Sequence, residues 1–223
     1  MYRMLTNYPC DARAMTIMNT LPIVYVIDDD ISVRESLEMV IRSAGWQPEL
    51  FQSASDFLSR PKAFVPHCLI LDVNLPGLSG LELQKLLAEN RDEMPIIFIT
   101  GFGNVPMAVR AIKAGADEFL TKPFSNAVLI EAIRIALEKS AAFAAMEAEI
   151  ETLRERYSSL TNRERDVLHP VVAGKLNKQV AFELGISEIT VKAHRAQMMR
   201  KMNARSLPDL VNMVAKLAAD GFL

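Results

Sequence analysis

Short apolar runs alternate with helical patterns over the first 140 residues of the chain. The apolar runs cover residues 23–27, 48–51, 67–71, 95–99 and 116–121. The helical patterns between them cover residues 31–44, 54–60, 79–90, 104–114 and 125–140. Repeated strand-and-helix units of this kind predict a parallel sheet covered by helices on both faces, which is an α/β architecture.

The next segment predicts a long helix. From Asn126 to Tyr157 the chain contains no Pro or Gly and is rich in Ala, Glu and Arg, which favours continuous helix. A heptad-like apolar stripe lies within and just after it, at Met146, Ile150, Leu153, Tyr157 and Leu160. Two interpretations stay open: a linker helix packed on its own domains, or a dimer-forming coiled coil.

The last part of the chain predicts a small all-α domain. Four helical patterns follow one another at residues 162–173, 177–184, 188–202 and 207–219. The connection Leu184–Ser187 contains a glycine and ends on a residue that can cap the following helix, which is typical of a helix-turn-helix. The sequence therefore predicts a DNA-binding unit.

The third of these helices has an apolar and a cationic side. Ile189 and Val191 are expected to begin the apolar side, which Met198, Met199 and Met202 continue. Lys192, Arg195 and Gln197 are expected to project outward. A basic, capped helix after a short turn suits the major groove, with its cations also meeting phosphates. A solvated cationic face is the alternative.

Composition and charge agree with two domains. Net charge is −2, yet residues 158–223 contain 10 Lys/Arg and 6 Asp/Glu, a balance of +4, while residues 1–157 balance at −6. A basic C-terminal part after an acidic N-terminal part suggests that the C-terminal part binds a polyanion. With only Cys10 and Cys68 there is no disulfide framework, and no apolar run is long enough to span a membrane or to form a secretory signal, so a cytoplasmic protein is expected.

Polar side chains follow four of the predicted strands. Asp28 and Asp29 end the first, Asp72 ends the third, Thr100 follows the fourth and Lys122 the fifth. In a 2-1-3-4-5 sheet, the first and third strands flank the point where ligands bind. Converging carboxylates need a cation to stay ionised, and hard oxygen ligands at an open site suit Mg²⁺. A carboxylate nucleophile, a divalent cation and a lysine together indicate acyl-phosphate chemistry.

These motifs resemble the receiver domain of bacterial two-component response regulators. The matching segments are Val24–Asp30, Leu69–Gly77, Phe98–Gly101 and Phe119–Phe124. The resemblance implies that Asp72 accepts a phosphoryl group from a sensor histidine kinase. It further implies Mg²⁺, or Mn²⁺ in its place, on Asp29, Asp72 and the backbone carbonyl of Asn74, with Asp28 nearby and usually bound to the ion through water. It also implies phosphoryl contacts from Thr100 and Lys122, a cis Lys122–Pro123 bond, and an aromatic switch at Phe119, for which a core-strand aromatic is the compatible alternative.

The tail resembles the LuxR/GerE type of DNA-binding domain, and the pairing of the segment 103–109 with this tail looks most like the FixJ branch of the FixJ/NarL class. The matching segments are Leu160–Leu168, Val172–Ala181, Leu184–Ser187 and Thr190–Arg195. By that resemblance Lys192 and Ala193 face bases, while Lys178, Thr190 and Arg195 lie near phosphates. Ala196 departs from the lysine or other polar residue that is frequent at its position, which bears on base specificity.

The complete expectation is a flavodoxin-like five-stranded parallel receiver plus a small four-helix helix-turn-helix domain, joined by a long helix. Its parts are an N-terminal extension (1–20), the receiver (21–140), a helical linker (141–157) and the LuxR-type domain (158–223). The implied partners are a sensor histidine kinase, promoter DNA, RNA polymerase and, after phosphorylation, a second copy of the chain, with no membrane.

Two other classes of function compete with this hypothesis. A phosphatase of the haloacid-dehalogenase type needs a second aspartate two positions after the nucleophile, where this chain has Asn74. The missing acid predicts a persistent acyl phosphate and thus a switch, not an enzyme. A phosphorylation-independent DNA-binding protein, whose receiver serves only as an interaction module, is the other alternative.

Overall fold

The computed structural model describes residues 21–223 apart from 62, 64, 90–93 and 102, so the expected extension (1–20) lies outside the described residues. The chain divides into two compact units between Ala144 and Ala145. Within the described residues, no helix combines the length and the apolar character that crossing a bilayer requires.

The first unit contains the expected parallel sheet. All its strands run parallel in the order β2-β1-β3-β4-β5. Their bounds are β1 (Ile23–Ile27), β2 (Gln47–Phe51), β3 (His67–Asp72), β4 (Ile96–Thr100) and β5 (Glu118–Thr121). The prediction of the fold is confirmed, and strand bounds differ from it by no more than two residues.

The largest difference in the sheet is the start of β5, which was expected at residue 116. The Ala116 N–H instead donates to the Ala111 carbonyl at 3.1 Å, which completes the end of the preceding helix. Gly115 precedes it with a φ of 96°, a left-handed conformation typical after a helix. The backbone therefore belongs to the end of the preceding helix up to Ala116, and β5 begins at Glu118.

The helices of this unit are α1 (Ile31–Ser43), α2 (Ala54–Leu58), α3 (Gly80–Glu89), α4 (Val105–Lys113) and the first part of α5 (Asn126–Ser158). Side chains cap several of their starts. The Ser79 N–H donates to Glu82 Oε2 at 2.9 Å, and the Glu82 N–H donates back to Ser79 Oγ at 3.4 Å. This reciprocal pair satisfies two backbone donors and fixes where α3 leaves the loop after β3.

The central strands are apolar on both faces because helices cover both faces. Successive side chains of a strand point to opposite sides, so each strand contributes to two cores. One core contains Tyr25, Ile27, Leu69, Leu71 and Phe98. The other contains Val24, Val26, Cys68, Ile70, Ile97 and Ile99. The central strands are thus covered on both sides, while the edge strands β2 and β5 are only partly buried.

The second unit consists of the rest of α5 and four further helices: α6 (Asn162–Val172), α7 (Asn177–Leu184), α8 (Glu188–Met202) and α9 (Leu207–Ala219). Leu153, Tyr157 and Leu160 belong to its buried core. Met146, in contrast, is 64% exposed. The apolar stripe therefore packs within its own unit over most of its length, which favours the linker interpretation over the coiled coil.

Candidate functional site

Strand register brings the acidic residues together. Ile27 of β1 pairs with Leu71 of β3, so the residues that follow them, Asp28 and Asp72, are neighbours at the carboxyl edge. Asp28 is 1% exposed and Asp72 6% exposed, while Asp29 is exposed. Two carboxylates are therefore nearly enclosed at one point of the sheet, with a third beside them in the chain.

Lys122 joins the two buried carboxylates. Its Nζ lies 2.7 Å from Asp28 Oδ2 and 3.1 Å from Asp72 Oδ1. The other oxygen of each carboxylate accepts a backbone N–H two residues later: Asp28 Oδ1 from Asp30 at 2.9 Å, and Asp72 Oδ2 from Asn74 at 2.6 Å. Each aspartate thus has one oxygen held by the backbone and one held by the lysine.

The electrostatics follow from this enclosure. Burial raises the pKa of Asp72 above its usual value, against the opposing effects of the Asn74 N–H and the Lys122 ammonium. Burial alone would lower the pKa of Lys122, but its hydrogen bonds and its attraction to Asp28 and Asp72 leave that pKa raised. The Lys122 ammonium thus offsets only part of the effect that burial has on the pKa of Asp72.

The oxygen donors at this edge are chemically suited to a hard divalent cation. Two carboxylates, the neighbouring carboxylate of Asp29 and the backbone carbonyl of Asn74 are the ligand types that Mg²⁺ prefers. In the part of the chain that the structure describes, no three His, Cys, Asp or Glu side chains are already gathered into a metal-binding group. Lys122 places a positive charge between Asp28 and Asp72.

The remaining residues predicted for this site lie on the neighbouring strands. Thr100 ends β4 and is fully buried, and the Asn74 side chain donates a long hydrogen bond to its Oγ1 at 3.5 Å. The Lys122 N–H donates to the Thr100 carbonyl at 2.8 Å, which ties β5 to β4. Phe119 is half-buried against the core, its ring centroid 6.2 Å from that of Phe98. The Lys122–Pro123 bond is cis, as expected.

Two glycines at the site were not predicted as functional. A Cβ on Gly80 would lie 2.3 Å from the backbone oxygen of Asp72. A Cβ on Gly103 would lie 2.7 Å from Thr121 Cγ2 and 3.0 Å from both Phe119 Cε1 and Thr100 Cγ2. A single sequence contains no signal for such close approaches, because they depend on how distant elements pack.

We expect Gly103→Ala to destabilise the receiver unit by about 1–3 kcal/mol, since the added methyl group overpacks Thr100, Phe119 and Thr121. Urea unfolding monitored by circular dichroism measures the change. Gly101→Ala is the matched control, because a Cβ there meets nothing within 4 Å. Equal stability of the two variants would contradict the overpacking.

The second unit places the helix-turn-helix on α7 and α8. Gly185 ends α7 with a φ of 63°, and Ser187 Oγ accepts the Thr190 N–H at 3.1 Å to cap α8. The residues predicted to contact DNA that are exposed are Lys178, Lys192, Ala193 and Ala196. Thr190 and Arg195 are half-buried. Arg195 Nη1 donates to Asn177 Oδ1 at 3.0 Å, so this guanidinium also holds α8 against α7.

The prediction that Ile189 begins the apolar side of α8 is wrong. Val191, Met198 and Met202 are fully buried, whereas Ile189 is 80% exposed. At 3.6 residues per turn, a residue two positions before Val191 lies on nearly the opposite side of the helix. Ile189 therefore points away from the core that its sequence neighbour enters.

A five-stranded sheet with this acidic edge, followed by a helix-turn-helix unit, defines the response regulators of two-component systems, and the chain belongs to that family. Residues 24–134 match the response regulator receiver domain, and residues 158–214 match the bacterial regulatory proteins of the luxR family. The protein is thus a two-component response regulator of the FixJ/NarL class that regulates transcription.

Several relatives match this chain over most of its length. The response regulator protein TodT of Pseudomonas putida is 46% identical, covering 95% of this chain and 93% of its own. The transcriptional regulatory protein FixJ of Azorhizobium caulinodans is 45% identical over 85% of this chain and 90% of its own. The solved structure of the response regulator StyR is 48% identical, with a TM-score of 0.79, covering 88% of this chain and all of that one.

Proposed function

We propose that Asp72 accepts a phosphoryl group from a sensor histidine kinase, and that the phosphorylated protein dimerises, binds promoter DNA and activates transcription through RNA polymerase. The observation that supports this most is the Lys122 ammonium, which lies within 3.1 Å of both buried carboxylates at the carboxyl edge of the sheet. A protonated lysine held against a carboxylate nucleophile is what the transfer of an anionic phosphoryl group requires.

The transfer exchanges one bond for another. A carboxylate oxygen of Asp72 attacks the phosphorus, the P–O bond to Asp72 forms, and the P–N bond to the kinase imidazole breaks. Lys122 stays protonated and places its charge beside the incoming phosphoryl oxygens. The Thr100 hydroxyl, at the end of the neighbouring strand β4, donates to another of these oxygens.

Asp28, Asp29, Asp72 and the Asn74 carbonyl would hold Mg²⁺, or Mn²⁺ in its place. When bound, the ion supplies positive charge that the phosphoryl group and the carboxylates share. Asp28 would then have a second cation available, so Lys122 can leave it and turn towards the phosphoryl group.

The response to phosphorylation begins at Thr100 and Phe119. Movement of the Thr100 side chain towards the new charge would vacate space into which the Phe119 ring can move. That would change the surface formed by α4, β5 and the start of α5 and let two receivers pair, a local electrostatic change with a distant effect. Pairing would place two helix-turn-helix units on half-sites about one helical turn of DNA apart.

Selection from fragmented genomic DNA, at fixed salt, tests the proposal. One arm contains beryllofluoride and Mg²⁺, which together mimic the acyl phosphate, and the control arm contains fluoride and Mg²⁺ without beryllium. We expect enrichment of a two-fold repeat only with the mimic. Equal enrichment in both arms would favour a phosphorylation-independent DNA-binding regulator whose receiver is an interaction module.

A further inference from the structure

The side of α8 that points away from the core is apolar over its first two turns. Ile189, Ala193, Ala196 and Arg200 follow one another at spacings of four, three and four, which places them in one row along the helix. All four are exposed, and they lie opposite the buried row of Val191, Met198 and Met202. We call this set the outward row.

The outward row offers base edges little to hydrogen-bond with. Its first three members, Ile189, Ala193 and Ala196, end in methyl groups, and the side chain of Arg200 already donates to Gln197 on the same helix. In the major groove, the C5-methyl group of thymine is the feature that apolar side chains contact. Two alanines also let the helix backbone approach the bases closely, because nothing larger separates them.

Exposed cations close to the row point to nucleic acid as its occupant. Lys192 is exposed beside the row on α8, Lys178 is exposed on α7, and Arg200 ends the row with a positive charge. Lys192 Nζ is 3.2 Å from Glu188 Oε1, and since both side chains are about half exposed or more, this ion pair is weak. Lys192 can therefore leave Glu188 and bind a DNA phosphate with little loss of free energy. An apolar row with such cations nearby is complementary to the major groove, where thymine methyl groups lie between the two phosphate backbones.

We propose that α8 selects its DNA sites by contact with thymine methyl groups, with Ile189 as a specificity-determining residue beside Ala193 and Ala196. This inference rests on the proposed DNA binding and adds the chemistry of the bases that are recognised. Lys192 and Gln197, which flank the outward row, provide the polar contacts.

Replacement of thymine by deoxyuridine, one position at a time, in a selected DNA fragment tests the inference with the full-length protein. The exchange removes one methyl group and keeps base pairing. We expect affinity for the beryllofluoride-loaded protein to fall roughly fourfold at each thymine that faces the row, as for one buried methyl group. Fluorescence anisotropy of labelled DNA at constant salt measures the dissociation constants.

The Ile189→Ala variant tests whether Ile189 makes one of these contacts with a thymine methyl group. This variant should bind the thymine site more weakly and should no longer distinguish thymine from deoxyuridine at one position of each half-site. Leu176→Ala, which truncates another exposed apolar side chain outside α8, should retain the distinction. Both positions are more than two-thirds exposed, so neither change affects the core.

Two different failures can be told apart. If no DNA is enriched with the mimic, the proposed function is overturned and this inference with it. If DNA is enriched but deoxyuridine binds as tightly as thymine at every position, the inference alone is overturned, and the outward row then contacts protein or solvent.

Discussion

Asp72→Asn is expected to abolish the response of DNA binding to beryllofluoride and to a phosphorylating kinase, leaving only the affinity of the unphosphorylated protein. The amide is a poor nucleophile and cannot form the acyl phosphate, and it also removes one of the negative oxygens that would bind Mg²⁺. Anisotropy titrations with and without the mimic measure the response. Glu49→Gln makes the same carboxylate-to-amide change on the edge strand β2 and should leave the response intact.

The same substitution should change how the stability of the receiver depends on pH. Burial raises the folded-state pKa of Asp72, so its protonated form favours folding at low pH, and this contribution is lost as pH rises through the raised pKa. The asparagine does not titrate. Asp72→Asn should therefore gain stability relative to the native chain as pH rises from about 4 through the raised pKa of Asp72. A difference that does not change with pH, or an undiminished response to beryllofluoride, would contradict this account of Asp72.

Lys122→Met is expected to have the second large effect, on stability as well as on signalling. Removal of one partner of a buried ion pair costs roughly 3–5 kcal/mol when the remaining charge is fully enclosed. The lysine side chain is 25% exposed, so we expect about 3 kcal/mol, the lower end of that range. Chemical denaturation at pH 7 measures the loss, and phosphotransfer from a kinase or the beryllofluoride response measures the loss of function.

Two controls separate the effect of removing the Lys122 charge from the site from the effect of removing a lysine anywhere in the receiver. Lys85→Met removes an exposed lysine on α3 and should cost little. Asp28→Asn combined with Lys122→Met removes one of the two carboxylates that the lysine joins, and should recover part of the stability without restoring signalling. If the double variant were as unstable as Lys122→Met alone, the bridge between the two aspartates would not be the source of the effect.

The order of the elements could be predicted because each obeys a local rule. Apolar runs such as Val24–Ile27 and Leu69–Leu71 are too short and too rich in β-branched or large aliphatic residues for surface helices. Ser79, Ser187 and Gly115 give start and stop signals that involve only their own neighbours. The predicted start of β5 was two residues too early, because the Ala116 N–H completes the end of α4 and is not part of the strand.

The chemical identity of the acidic site could be predicted, but its internal connections could not. Strand ends converge at one edge in any such sheet, so Asp28, Asp72, Thr100 and Lys122 were expected near one another. That Lys122 touches both buried aspartates depends on distances set by three strands and a loop. The exposure of Ile189 depends on its angular position, nearly opposite the buried Val191 on α8, which an apolar residue type does not reveal.

Gly80 has a consequence for how this protein tolerates sequence change. Any Cβ there would meet the Asp72 carbonyl oxygen at 2.3 Å, while the Gly80 N–H donates to the Val73 carbonyl at 3.1 Å. The first turn of α3 thus lies in close contact with the backbone of Asp72, the residue that we propose as the phosphoacceptor. In a library of single variants selected for signalling, position 80 would be as intolerant as position 72, although it contributes no reactive group. Laboratory evolution of this receiver towards a new kinase must therefore leave that glycine unchanged.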